Sequence, residues 1–564
     1  MSSENLTMAR SASLKPIEDI GNEMGLGSHL LEPYGRHVMK VSLDAISELA
    51  DQPRAKYVVV TAVTPTPLGE GKTTTTVGLG QAFKHIGKSS VVCVRQPSMG
   101  PALGIKGGAS GGGMSQVVPM EQLNLHLTGD MHAVTAAHNQ LSAMLDNHLF
   151  RGNALGMDPH SVTWRRVLDV NDRALRHVVT GLGGRMDGVP REAGFDITAA
   201  SEVMATLALT TSLADLRARL GRIVVGYTHD GEPVTAEQLQ AAGAMTVLLR
   251  EAIKPNLMQT MENTPVLVHC GPFGNIATGN SSIIADLVAL RCGEYVVTEA
   301  GFGADMGAER FFNIKCRTSG ERPDAAVVVA TIRALKAHSG RYRIVAGKPL
   351  PPELLAENPD DVRAGATNLA KQIENVRRHG IPAVVAVNSF PTDHASEHDV
   401  VREVAEDAGA RFAVCDHFAR GGAGAVTLAE AVVEASDEAS DFRMLYPDDA
   451  SLREKIETIA REIYGADGVD YSPVASRSLD TYERAGFGGL PICMAKTHLS
   501  LSSDPTLKGA PTGWRLPVRE VRAAVGAGFV YPICGDMQTM PGLGSDPAAA
   551  HIDIDADGEV VGLF

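Results

Sequence analysis

The sequence predicts an α/β fold with more than one sheet, and three observations carry that expectation. First, apolar runs rich in β-branched residues recur along the chain. They are 57–63, 90–94, 223–227, 265–270, 295–301, 325–330, 382–388 and 411–416. Runs of this kind read as buried strands of parallel sheets. Second, helical patterns lie between several of them. One is DVRAGATNLAKQIENVRRHG (361–380), closed by a glycine suited to a helix C-terminus. Third, the first run leads into TPLGEGKTTTT, a turn that opens a helix-like stretch. Alternating strand and helix defines α/β architecture, in which ligands sit beyond the carboxyl ends of the strands.

Composition narrows the function. The 564 residues are 44% hydrophobic and 21% charged, enough to bury real cores. A length of this order suggests two to four domains. The formal net charge of −15 argues against a nucleic-acid surface, which needs clustered Lys and Arg. An anionic substrate must therefore meet a local positive site. The N-terminus is polar without an apolar core segment, so no signal peptide is expected. No run approaches the ~18 apolar residues that span a bilayer. The seven cysteines are scattered, with no C-x-x-C pair, as in a reducing cytoplasm and without a zinc cluster.

Taken in chain order, the first candidate site follows the first strand. TPLGEGKT comprises Thr66, Pro67, Leu68, Gly69, Glu70, Gly71, Lys72 and Thr73. It matches the phosphate-binding pattern G-x-x-x-x-G-K-[ST] except that Thr66 stands at the first glycine. Glycines let backbone N–H groups turn toward phosphate oxygens, and the helix start adds partial positive charge. Lys72 is expected to reach the β/γ-phosphates and the Thr73 hydroxyl to bind Mg²⁺ with ATP. The alternative is an ordinary Gly- and Pro-rich turn.

The next strand, 90–94, ends at Arg95. As a parallel neighbour of the first strand it would bring Arg95 beside the terminal phosphate, where a planar guanidinium clamps carboxylate or phosphoryl groups. Lys106 follows in a loop with six glycines between 104 and 113, which lets backbone approach a ligand closely. The stretch 124–139 holds His126, His132 and His138. Their spacing puts His132 and His138 on different helix faces, so for two of the three a hydrogen-bonded or surface histidine is expected rather than a place in a metal trio. Asp130 precedes a helical run and reads as an N-cap. Phe390 and Phe418 stand just past predicted strands. Such a ring can stack on a flat heterocycle or simply pack on its own domain.

The segments TPLGEGKTTTTVGLGQA, GIKGGASGGGMSQVVPMEQLNLHLTGDMHAVTAAHN, VTWRRVLDVNDRALR, GVPREAGFDITAASEVMA, NSFPTD, REIYGADGVDYS and MPGLGSDPAAAHIDIDADGEVVGLF resemble formate–tetrahydrofolate ligases, from about residue 30 to the C-terminus. The resemblance implies a P-loop NTPase-type parallel sheet in a large N-terminal domain plus two smaller α/β domains. The implied division is 1–135 with 305–369 for nucleotide, 136–304, and 370–564 contributing to the folate site. It implies ATP-dependent ligation of formate to N10 of tetrahydrofolate through formyl phosphate, in a cytoplasmic homotetramer. Mg²⁺ would accompany ATP, and a monovalent cation, K⁺ or NH₄⁺, would assist. Residues 66–73 would be the ATP loop. Lys72, Arg95 and Lys106 would be catalytic, Arg95 anchoring formate or formyl phosphate. Gln96, Asp130, Phe390 and Phe418 would meet the folate, the two rings sandwiching the pterin. His126, His132 and His269 stand near family-typical positions. The chain departs from the family pattern at Gln96 (commonly Glu), Phe418 (often Trp), Met114 (an aromatic) and Cys270 (Gly). A switch-type P-loop ATPase acting on a protein partner is the alternative, and a small-molecule kinase a third reading. ADP formation requiring both formate and tetrahydrofolate separates them.

Overall fold

The computed structural model describes residues 2–104, 109–344 and 349–563. Its strands β1 (Leu31–Pro33), β2 (Met39–Val41), β3 (Lys56–Ala62), β4 (Ser90–Val94), β5 (Ser115–Val118), β6 (Asn256–Thr260), β7 (Pro265–Val268), β8 (Tyr295–Glu299), β9 (Ala325–Ala330), β10 (Ala383–Asn388) and β11 (Arg411–Cys415) share one large sheet. The order is β1-β2-β6-β7-β4-β8-β3-β9-β10-β11, with β5 joined to β6. From β7 to β11 every pairing is parallel. The edge formed by β1, β2 and β6 is antiparallel. The sheet takes strands from each of the three segments that the resemblance separates.

The β-branched runs make central strands because both faces of this sheet are covered. Along β3, Val58 and Val60 pack into one core with Leu79, Ala82 and Phe83 of helix α1 (Lys72–His85). Tyr57 and Val59 point the other way, into a core that includes Phe311, Leu335 and Leu369. Val58, Val59 and Val60 are fully buried. Each stabilises the fold by roughly 1.5–3 kcal/mol relative to exposure, an upper bound. Helix α3 (Pro359–Arg378) begins with Asn358 capping the Asp361 N–H and with Pro359 in its first turn. The glycine that follows it, Gly380, adopts φ 75°. Of the cores away from the sheet, two are large. One includes residues of helix α2 (Asp130–Phe150) and of 203–253, the other residues of 446–534.

Two expectations about strands are corrected. The run at 223–227 lies outside the large sheet, pairing antiparallel with Pro233–Thr235 instead. The intervening Asp230-Gly231, with Gly231 at φ 85°, folds the chain straight back, so the run forms a hairpin. Nor is β4 the neighbour of β3, because β8 lies between them and pairs with both. Strand β6 (Asn256–Thr260), in the antiparallel part of the sheet and with few β-branched residues, carries no such run. No helix among the described residues is long and apolar enough to cross a membrane.

Candidate active site at the carboxyl edge of the sheet

Strands β3, β4, β8, β10 and β11 end on one edge, and most of the candidate residues stand just past those ends. The first is the turn between β3 and α1. Gly69 and Gly71 have φ of 74° and 76°, the left-handed region that glycine adopts freely. A side chain at Gly71 would also collide with the Asn388 amide at the end of β10. That amide donates to the Glu70 carbonyl at 3.2 Å, tying the turn to a second strand end. Glu70 is buried, and its carboxylate accepts from the Thr66 N–H at 2.7 Å and the Thr66 hydroxyl at 3.1 Å. Thr66, standing where the pattern has glycine, thus closes the loop through a side-chain bond.

Lys72 Nζ lies 3.9 Å from the Glu70 carboxylate. Burial holds the Lys72 ammonium below the usual lysine value, with Glu70 and then Glu299 opposing the shift. Burial likewise raises the Glu70 carboxyl, which Lys72 and the Thr66 bonds oppose. The Thr73 hydroxyl donates to Glu299 Oε2 at 2.7 Å. Arg95, one residue past β4, reaches Glu299 Oε1 from the other side at 3.4 Å. The Glu299 side chain is 3% exposed and that of Arg95 29%. Glu299 is the residue that sequence reasoning missed. Its signal was an acid closing the run YVVTE, at the carboxyl end of a buried strand.

The neighbouring positions differ in how they are held. Gln96 is 2% exposed, and neither side-chain atom of its amide makes a hydrogen bond among the described residues. Its N–H donates to the Cys270 carbonyl at 2.7 Å. Cys270 has φ 55°, a conformation that suits the glycine this position resembles better than cysteine. Asp130 does not cap α2. Gly129, at φ 86°, is the cap, and Asp130 is the first helical residue. Its buried carboxylate instead accepts from Lys40 Nζ at 2.7 and 2.9 Å and from Asn256 Nδ2 at 2.8 Å. A buried cation is stronger competition for a carboxylate than a helix N–H.

The two aromatics stand at the strand ends. Phe390 is half-buried, two residues past β10, with the Arg333 guanidinium 3.9 Å from its ring centroid. Phe418 is 44% exposed, in a short helix after β11. The glycine-rich loop folds over it. Met114 N–H donates to the Phe418 carbonyl at 2.8 Å, and Gly113, at φ 60°, leaves no room there for a Cβ. Lys106 lies outside the described residues.

The histidines separate as spacing suggested. His126 and His132 are exposed. His138 is buried between the Ser201 hydroxyl (2.8 Å) and the Arg165 carbonyl (2.9 Å). His269 is buried between the Ser282 hydroxyl (2.6 Å) and the Ala252 carbonyl (2.7 Å). Burial lowers both to about 4. His417 was not singled out from sequence. It is buried behind α1 with Nε2 3.2 Å from the Thr75 hydroxyl, and burial lowers it too to about 4. No group of three or more His, Cys, Asp or Glu among the described residues is arranged to hold a metal ion.

A mostly parallel sheet with a Lys, a Thr, an Arg and two carboxylates gathered at its carboxyl edge defines an α/β protein with a charged cluster at the strand ends, where sheets of this kind place ligands. The chain matches the family model described as formate–tetrahydrofolate ligase over residues 3–564. It is 74% identical over 559 residues to the formate–tetrahydrofolate ligase of Saccharopolyspora erythraea, covering 99% of each chain. It is 68% identical over 570 residues to formate–tetrahydrofolate ligase 3 of Rubrobacter xylanophilus, covering 99% of this chain and 100% of that one. Identity to the Cutibacterium acnes formate–tetrahydrofolate ligase is 65% over 560 residues, again 99% and 100%. The chain belongs to the formate–tetrahydrofolate ligase family.

Proposed function

We propose that this chain joins formate to N10 of tetrahydrofolate, converting ATP to ADP and phosphate, and that residues 66–73, Arg95, Phe390 and Phe418 carry the work. The observation that supports the residue roles is the meeting of Lys72, Thr73 and Arg95 at the ends of β3 and β4, joined by Glu299. Formate is a poor electrophile because its leaving group would be oxide. A formate oxygen attacks the γ-phosphorus, the bond to ADP breaks, and formyl phosphate results. N10 then attacks the formyl carbon, phosphate leaves, and N10 loses its proton.

In the first step the turn's N–H groups and Lys72 bind the phosphates, and Arg95 orients formate beside them. Burial favours the deprotonated Lys72, whereas an arriving polyphosphate favours the ammonium and replaces Glu70 as its partner. The Thr73 hydroxyl is an oxygen donor of the kind Mg²⁺ takes, which suits it to hold the cation carried by ATP. Such a cation spreads charge over the phosphates. Phe390 and Phe418 offer π-faces for the pterin, with Gln96 and Asp130 toward the folate as its polar contacts. Lys106, in the glycine-rich loop, is assigned to the reactive intermediate. The alternative of a switch ATPase serving a protein partner is not supported, since the family match spans nearly the whole chain.

Exposed Val179, Leu182, Met186 and Val189, on and between two short strands at 178–180 and 191–193, favour covering by another copy. They are consistent with a homotetramer, which sedimentation would test. The reaction is tested by a spectrophotometric assay. ADP formation should require formate and tetrahydrofolate together. Steady ADP formation with neither present would overturn the proposal.

A further inference from the structure

We propose that Glu299 is a positioning residue for the ligation, orienting the Thr73 hydroxyl toward the nucleotide's divalent cation with one carboxylate oxygen and holding Arg95 toward formate with the other. The inference rests on the phosphate-loop reading above. Glu299 ends β8, the strand inserted between β3 and β4. It therefore stands between the turn that starts α1 and the residue that follows β4. Oε2 takes the Thr73 hydroxyl proton at 2.7 Å, leaving the oxygen lone pairs of Thr73 free for a hard cation. Oε1 takes Arg95 Nε–H at 3.4 Å, leaving the remaining guanidinium N–H groups for a carboxylate. The carboxylate is 3% exposed, so solvent does little to screen it from either partner. One buried side chain thus links the two substrates' cationic sites, and its loss affects both.

Titrating ATP into the full-length protein, with excess Mg²⁺ or with EDTA, tests this by calorimetry. In the wild type Mg²⁺ should tighten ATP binding by about tenfold. Glu299→Gln should keep the affinity seen in EDTA and reduce the Mg²⁺ gain to about twofold or less. It should also raise KM for formate by about tenfold, with a smaller change in KM for tetrahydrofolate. Glu299→Asp keeps the charge but shortens the reach, and should show a weakened Mg²⁺ gain. This second variant serves if Glu299→Gln does not fold. A full Mg²⁺ gain with unchanged formate KM in either folded variant overturns the proposal. Lys72→Ala in the same titration separates the two levels of inference. If it loses ATP affinity while Glu299→Gln behaves as wild type, only the role of Glu299 fails. If Lys72→Ala binds ATP normally, the phosphate-loop reading fails and takes the Glu299 role with it.

Discussion

The turn at 66–73 and the ring of Phe418 lie close together. A Cβ at Gly112 would be 3.1 Å from Phe418 Cε2 and 3.6 Å from the Thr74 hydroxyl. Yet the two regions are held in different ways. At the turn, polar groups are paired before any ligand arrives. Thr66 bonds Glu70, Asn388 bonds the backbone, and Thr73 and Arg95 share Glu299. Phe418 is anchored through its backbone, with Met114 bonding its carbonyl, while its ring stays 44% exposed. The contrast fits the roles proposed for them, since charge stabilisation of phosphoryl transfer is preorganised whereas a stacking ring needs only to be presented.

The largest expected effect is at the turn. Lys72→Ala should lower kcat by about a thousandfold, the order found when a preorganised charge-stabilising group is removed. The unfolding midpoint should barely move, because Lys72 ends in the site and packs in no core. Near-normal turnover in a folded variant would erase the proposed difference between the regions. Arg95→Ala comes next, and should cost about a hundredfold in kcat/KM for formate. ATP affinity, measured separately, should change little. Equal loss of both would make Arg95 a structural support instead of the formate anchor.

Much of this contrast was legible in the sequence. β-branched runs reveal the parallel strands because both faces of the sheet are buried, so Val58, Val59 and Val60 need no alternation with polar residues. The turn was legible because Gly71, Lys72 and Thr73 are adjacent in the chain. Glu299 was hidden because its partners are about two hundred residues away in sequence. They meet only through the order β4-β8-β3, which no local pattern encodes. Asp130 misled for the same reason, since Lys40 and Asn256 outcompete the local cap. A stacking role for Phe418 is suggested by resemblance more than by local physics, as an exposed aromatic at a strand end has more than one use.

His417 joins the two regions, and acid probes that joint. Its ring backs Thr75 of α1, and the next residue is Phe418. His138, His269 and His417 are each buried and lowered from about 6.5 to about 4. The unfolded chain therefore binds more protons than the folded one between those values. The stability these neutral rings contribute is complete above about pH 6.5 and is lost as pH falls toward 4. Each should cost about 2 kcal/mol by pH 5. Chemical denaturation across that window should show the fall, and His417→Gln should make it shallower. A flat profile would mean that these rings are not neutral in the fold.

The smallest effect should come from the ring itself. Phe418→Ala removes a single π-face worth ~1 kcal/mol of stacking, so KM for tetrahydrofolate should rise about fivefold with little change in KM for ATP or in kcat. Phe418→Trp supplies more area and an N–H, and should lower that KM by about twofold. Met114 bonds the backbone carbonyl of residue 418, so neither substitution removes the tie that positions the loop. If Phe418→Ala instead lowered kcat as far as Lys72→Ala does, the ring would be part of the preorganised machinery. The two regions would then be a single cooperative unit, not a charged cradle beside a passive platform.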